Sequence, residues 1–198
     1  MLSRRTTSQL VGMALAGLGL IVCAPGCGSG TARPDSTPST QANAGTTPTG
    51  WVNYHDPTGI SFSKPASWTA VPGEEGPLIV YVDPPIGVPF RRNVNILHQQ
   101  EAGPVTLSQY TEVTEQEDRG LTDFTESSLG PVTLSGVAGM RLVYTAQLAG
   151  IPSPLSFLQE WIVAGGQPWL VTYTSDPARF HQALADVQRL MDSITFPN

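Results

Sequence analysis

The sequence is short of the groups on which most protein chemistry relies. It has two cysteines, Cys23 and Cys27, and a single lysine, Lys64, in 198 residues. Its three histidines, His55, His98 and His181, fall on separate stretches without metal-ligand spacing. After Cys27 no thiol remains, which excludes a disulfide, a cysteine metal site and thiol catalysis from the rest of the chain. No apolar run reaches the roughly 20 residues of a membrane-spanning helix. No Lys/Arg-rich tract occurs, and the formal charge is −6, which disfavours nucleic acid as a partner. A G-x-S-x-G elbow is missing. The one S-x-x-K match, Ser61 to Lys64, falls on an expected strand, where positions i and i+3 face opposite sides. The expectation is a chain that is not an enzyme and uses no cofactor.

What is present begins at the N-terminus. Arg4 and Arg5 precede an apolar run over 10–22, and Ala24-Pro25-Gly26 lead into Cys27. A charged start, an apolar middle and small residues before a cut are the marks of a secretory signal. As a helix the 13-residue run spans about 20 Å, short of the roughly 30 Å of a hydrocarbon core. The stretch resembles the bacterial lipobox, which implies cleavage after Gly26 and a diacylglycerol thioether on Cys27. Cys23 fits less well, because the branched Val22 stands where a small residue belongs. Thr6-Thr7 lack the apolar character expected after a twin-arginine pair, so general secretion is favoured. Residues 1–26 are thus read as a lipoprotein signal. Cys27 is read as the attachment of an exported protein to the outer face of the cell membrane.

Residues 27–50 contain no aromatic and no large aliphatic residue. Such a Thr/Ser/Pro-rich stretch cannot bury enough apolar surface to offset its ordering entropy, and we read it as a disordered tether. The remainder, 51–198, has the length of one domain. Sixteen acidic residues and eight basic ones follow Cys27, so the mature chain carries about −8. Nine of the ten cationic residues are arginine, which with abundant Ala, Gly, Pro and Thr hints at a GC-rich, actinobacterial genome.

Alternating and apolar runs predict strands over 51–55, 60–63, 78–82, 94–99, 139–148, 156–163 and 168–174. Asp56-Pro57-Thr58-Gly59 supplies the first turn. Thr106 and Gln109 have capping-box spacing, which predicts a helix over 106–119 closed by a left-handed Gly120. Its acids Glu112, Glu115, Glu117 and Asp118 suggest a solvated helix. Asp176-Pro177 reads as the cap and first residue of a last helix, whose stripe is Phe180, Leu184, Val187, Met191 and Ile194. Short connections make the ladder antiparallel. The fold class is α+β, an antiparallel sheet flanked by helices.

The residues Lys64-Pro65-Ala66-Ser67-Trp68 resemble the P-x-x-W opening of PsbP/Mog1-like domains. Tyr81-Val82-Asp83-Pro84, the Leu134-to-Gly139 hairpin and the ending Ser193-Ile194-Thr195-Phe196 add to the likeness, which covers nearly all of 51–198. Actinobacterial lipoproteins of the LpqN type share this arrangement. The resemblance implies an α/β/α sandwich and a binding or accessory role at the cell envelope, without an active site fixed by motif.

Arg91-Arg92 is the basic doublet of an acidic domain and follows the apolar, proline-rich stretch ending at Phe90. Phe90, Arg91 and Arg92 are the candidate contact for an envelope protein partner or an anionic amphiphile. A solvated hairpin whose arginines pair with acids is the plainer alternative. Glu74-Glu75 could help hold a cation, but adjacent loop acids are more often simply solvated. Trp51, Trp68, Trp161 and Trp169 are read as core and sheet-face residues. The function expected is a membrane-anchored, non-catalytic binding module; the alternative is a carrier or sensor of an amphiphile, held between sheet and helix.

Overall fold

The computed structural model describes residues 49–72, 77–85, 87 and 90–197. The signal, Cys27, nearly all of the tether and Glu74-Glu75 lie outside the described residues.

The chain opens with a hairpin of β1 (Trp51–His55) and β2 (Ser61–Pro65), which forms a two-stranded sheet of its own. Its turn works as expected: Asp56 Oδ1 accepts the Thr58 N–H at 2.9 Å, and Gly59 takes φ +95°, a value that favours glycine. Among the described residues the main sheet has seven strands: β3 (Thr69–Val71), β4 (Leu78–Tyr81), β5 (Asn93–His98), β6 (Thr122–Leu134), β7 (Val137–Gln147), β8 (Leu155–Ala164) and β9 (Gln167–Ser175). They lie in the order β3-β4-β5-β9-β8-β7-β6, and each neighbouring pair is antiparallel. Helix α1 (Leu107–Arg119) follows β5, and α2 (Leu184–Asp192) closes the chain after a 3-10 turn at Phe180–Gln182.

The two helices take opposite faces, and β8 shows why. Eight of its residues, 155–162, are buried in succession, so both of its faces are covered. Leu158 and Ile162 point to one side, into a core with Val94, Ile96, Val171 and Tyr173. Val187, Leu190 and Met191 of α2, and Ile60 and Phe62 of β2, complete that core. Phe157 and Trp161 alternate to the other side. There the Trp161 indole donates to Thr111 Oγ1 of α1 at 2.9 Å. Gly139 is one place where β7 has no room for a side chain, since a Cβ would stand 2.7 Å from Ile162 Cγ2.

Several expectations are corrected. Gly120 ends α1 in a right-handed conformation, φ −78°, its N–H shared between Asp118 O and Glu117 O; the left-handed turn falls at Asp123, φ +53°. Asp176-Pro177 does not start a helix. Asp176 instead closes a turn by accepting the Arg179 N–H, and α2 begins only at Leu184. The apolar stripe survives this shift, with Phe180, Val187, Met191 and Ile194 all buried. Two strands were not foreseen, β3 and β6. Finally, α1 is not wholly solvated: Tyr110, Thr114 and Asp118 are buried along one side.

Candidate functional site

The basic doublet sits where β5 begins, and its two arginines part company. Arg92 turns inward. Its guanidinium grips Asp83, with Nε 3.1 Å from both carboxylate oxygens and Nη2 2.7 Å from Oδ1, while the Arg92 N–H adds a bond to Oδ2 at 3.1 Å. Arg179 approaches the same carboxylate from the turn before α2, Nη1 to Oδ2 at 2.9 Å, and pairs with Asp176 at 2.6 Å. Nη2 of Arg179 also donates to the Phe90 carbonyl at 2.6 Å. One buried carboxylate thus ties the β4–β5 loop to the turn after β9. Burial pushes the Asp83 carboxyl up, but the bonds and charges of Arg92 and Arg179 outweigh it and hold the group below its ordinary range. The bond to Asp83 raises Arg92 in turn.

Arg91 goes the other way. Its guanidinium lies 3.6 Å over the centre of the Tyr81 ring, and Nε donates to the Asp83 carbonyl at 2.9 Å. Stacked arginine on an aromatic face is a favoured contact element. Tyr81 lies on the α1 side of the sheet, where β4, β5 and β9 also present Ile79, Asn95, Leu97 and Thr172, all half-buried. Asn93 Nδ2 donates to Arg91 O at 2.9 Å, and Asn95 Nδ2 to Asn93 Oδ1 at 3.1 Å, which anchors Arg91 to a polar ladder along β5.

A second feature is a cleft of about 330 Å³ at the other end of β4 and β5. Ile60, Leu78, Ile96 and Trp169 form its apolar lining, with Asp56, His98 and Gln100 among its polar groups. His98 keeps an exposed edge, but its ring stacks on Trp169 at 4.1 Å, and that covered face lowers its pKa. The volume is at the small end of ligand pockets. The cleft lies beside the β1–β2 turn and the C-terminal Pro197, not between sheet and helix.

The remaining candidates separate. Ser61 and Lys64 share strand β2. Lys64 is buried, with Nζ donating to the Trp68 carbonyl at 2.5 Å, and burial lowers its pKa. Trp68, Trp161 and Trp169 are buried, as their reading as core residues requires, and Trp51 lies under the Arg189 guanidinium at 4.7 Å. Among the described residues no three His, Cys, Asp or Glu side chains could together hold a metal ion. Nor is any described helix long and apolar enough to cross a membrane. Sequence reasoning missed the burial of Asp118 and the part played by Asp83. The 4-residue spacing of Tyr110, Thr114 and Asp118 was the available signal for the first.

No protein-family profile and no curated sequence matches the chain. Solved structures do. LpqN of Mycobacterium tuberculosis, described as involved in cell envelope biogenesis, is 17% identical with a TM-score of 0.56, covering 73% of this chain and 90% of that one. Cyanobacterial PsbP from Synechocystis is 13% identical with a TM-score of 0.50, over 79% of this chain and 98% of that one. A Pseudomonas aeruginosa protein of unknown function, described as a putative regulator, is 18% identical with a TM-score of 0.54, over 75% and 97%. At these identities the likeness is one of architecture. The chain has the PsbP/Mog1-like fold: an antiparallel sheet between helices.

Proposed function

We propose that this is a non-catalytic lipoprotein of the bacterial cell envelope, held to the outer face of the membrane through Cys27, whose folded domain binds other envelope proteins. The observation that supports binding is the Arg91–Tyr81 stack, a cationic and aromatic surface element. Arg91 is held by the Asp83 carbonyl, and Arg179 ties that same Asp83 to the adjoining Phe90 carbonyl. Arg, Tyr and Trp are the residues that dominate protein interfaces. The fold shared with LpqN, a protein described as involved in cell envelope biogenesis, supports the envelope setting.

Arg91 and Arg92 are not equivalent in a test of this idea. Arg92→Glu would break the Asp83 cluster, so only Arg91→Glu isolates the surface. Photo-cross-linking in intact cells, with the probe placed at Val71, which is 43% exposed, should capture partners with the wild type. With Arg91→Glu those partners should fall by about tenfold, the loss of about 1.4 kcal/mol expected for one interface arginine. An unchanged partner set would remove this surface from the reading. If native mass spectrometry of gently extracted protein finds an amphiphile bound instead, the small cleft becomes the site and the protein a carrier.

The anchor has its own test. Two acyl chains hold a protein to a bilayer firmly, where one does so only marginally. Cys27→Ser should therefore move the protein from the membrane fraction to the soluble one while leaving its unfolding curve unchanged, because no disulfide is lost. A variant that still sediments with membranes would contradict the lipid attachment.

A further inference from the structure

Among the described residues, four buried side-chain oxygens on the α1 side of the sheet have no hydrogen-bond partner: Glu117 Oε1, Asp118 Oδ2, Gln159 Oε1 and Thr174 Oγ1. Asp118 and Gln159 are each 6% exposed and Thr174 is 1% exposed. The strand register gathers the sheet members. Phe157 faces Thr174 across β8–β9 and Tyr144 across β7–β8, and Gln159 is the next residue of β8 on the same side. Tyr144 stacks on Phe157 at 4.6 Å, and its hydroxyl donates to Asp118 Oδ1 at 3.2 Å. Asp118 therefore sits over this row, with Glu117 adjacent in α1. Gln159 and Thr174 are diagonal neighbours across β8–β9, a spacing of about 7–8 Å.

The chemistry of the four is uniform in what it lacks. Each is an oxygen able to accept, and two belong to carboxyl groups in the last turn of α1, where the helix carbonyls already add negative potential. Arg119 pairs with Glu115 and Glu126 but with neither Glu117 nor Asp118. Among the described residues, the other titratable groups interacting with Asp118 are the Tyr144 and Tyr110 phenols, with Glu101 close to Tyr110, and none of these is a cation. A buried acceptor without a donor costs about 1–3 kcal/mol, more when charged. Water supplies donors to such a cluster but not the missing charge.

We propose that this cluster under the C-terminal half of α1 binds an N–H-rich cation, a guanidinium or primary ammonium, borne either by a free amine or by a side chain of a partner. Glu117, only half-buried, marks the side on which the cation enters. A guanidinium would offer several N–H donors in a fixed plane to carboxylate and amide oxygens, with its charge beside Asp118. The inference is independent of the Arg91 surface, and its readout lies at Asp118.

The test is a pH titration of the Asp118 carboxyl carbon by NMR in the full chain, with and without methylguanidinium. An opposite charge within about 4–6 Å favours the ionised form. The midpoint should drop by about one pH unit, roughly a tenfold change. Tetramethylammonium, with the same charge and no N–H, should leave it in place. Glu117→Gln should shrink the response, and Asp118→Asn should abolish the accompanying change at the Gln159 side-chain amide. An arginine-bearing peptide acting at far lower concentration than methylguanidinium would assign the cation to a partner, and equal potency to a free amine. A midpoint indifferent to methylguanidinium, or equally sensitive to tetramethylammonium, would overturn the proposal and leave water in the cluster.

Discussion

Replacing Asp83 by alanine should cost the domain about 3–5 kcal/mol, the range expected when one partner of a buried ion pair is removed. The reason is what the carboxylate leaves behind. Arg92 has 12% of its side chain exposed and Arg179 20%, and both aim at Asp83. Without it, two guanidinium groups remain partly desolvated with a shared acceptor missing, and the β4–β5 loop loses its tie to the turn after β9. Asp176→Ala removes a more exposed carboxylate and should cost far less, nearer the range of about 1 kcal/mol for surface pairs. Urea unfolding of the two variants decides the matter. If their midpoints fall together, the Asp83 carboxylate does not hold the β4–β5 loop to the turn after β9. The pH dependence follows the same logic. The folded-state pKa of Asp83 is depressed, so its contribution is present above the ordinary value of 3.8 and is lost as pH falls through the lower folded-state value.

Asp118 behaves in the opposite sense. Burial pushes its carboxyl from 3.8 up to about 7; Glu117 adds to the rise and the Tyr144 hydrogen bond opposes it. A raised folded-state pKa means that the protonated group suits the fold. Its contribution is intact below about pH 3.8 and is lost as pH climbs through about 7. The shift corresponds to a penalty on the order of 4 kcal/mol once the carboxylate is ionised, at about 1.4 kcal/mol per pH unit. Asp118→Asn keeps the shape and the acceptor for Tyr144 but cannot ionise. In urea the variant should gain most of that penalty over the wild type in mildly alkaline buffer, progressively less as pH falls from about 7, and little or none below about pH 3.8. Stability curves that stay parallel across this range would show that Asp118 is ionised without cost.

The sheet was largely legible because its central strands alternate or run apolar, as 94–99 and 156–163 do. Strand β6 was not. Its thirteen residues are mostly exposed and lie at the sheet edge, so no apolar period marks them, and Pro131 argues against a strand anywhere except at such an edge. The stripe of α2 was visible at its 3- and 4-residue spacings, whereas its start was not. Asp176 spends its carboxylate on Arg179 instead of capping a helix. The inward turn of Arg92 could not be read from sequence, because Asp83 lies nine residues away and meets it only once β4 and β5 have paired. Asp118 was hidden among four acids on one helix. Only its spacing from Tyr110 and Thr114 set it apart.

Lys64 has a practical meaning beyond its packing. It is the one lysine of the chain, and in the folded domain its amine is spent on the Trp68 carbonyl beneath the surface. The native domain therefore offers amine-directed reagents no exposed lysine, and lysine-directed coupling would miss its contacts even where partners are bound. Conversely, an acyl group located on Lys64 by peptide mapping is a record that the β2 corner has opened.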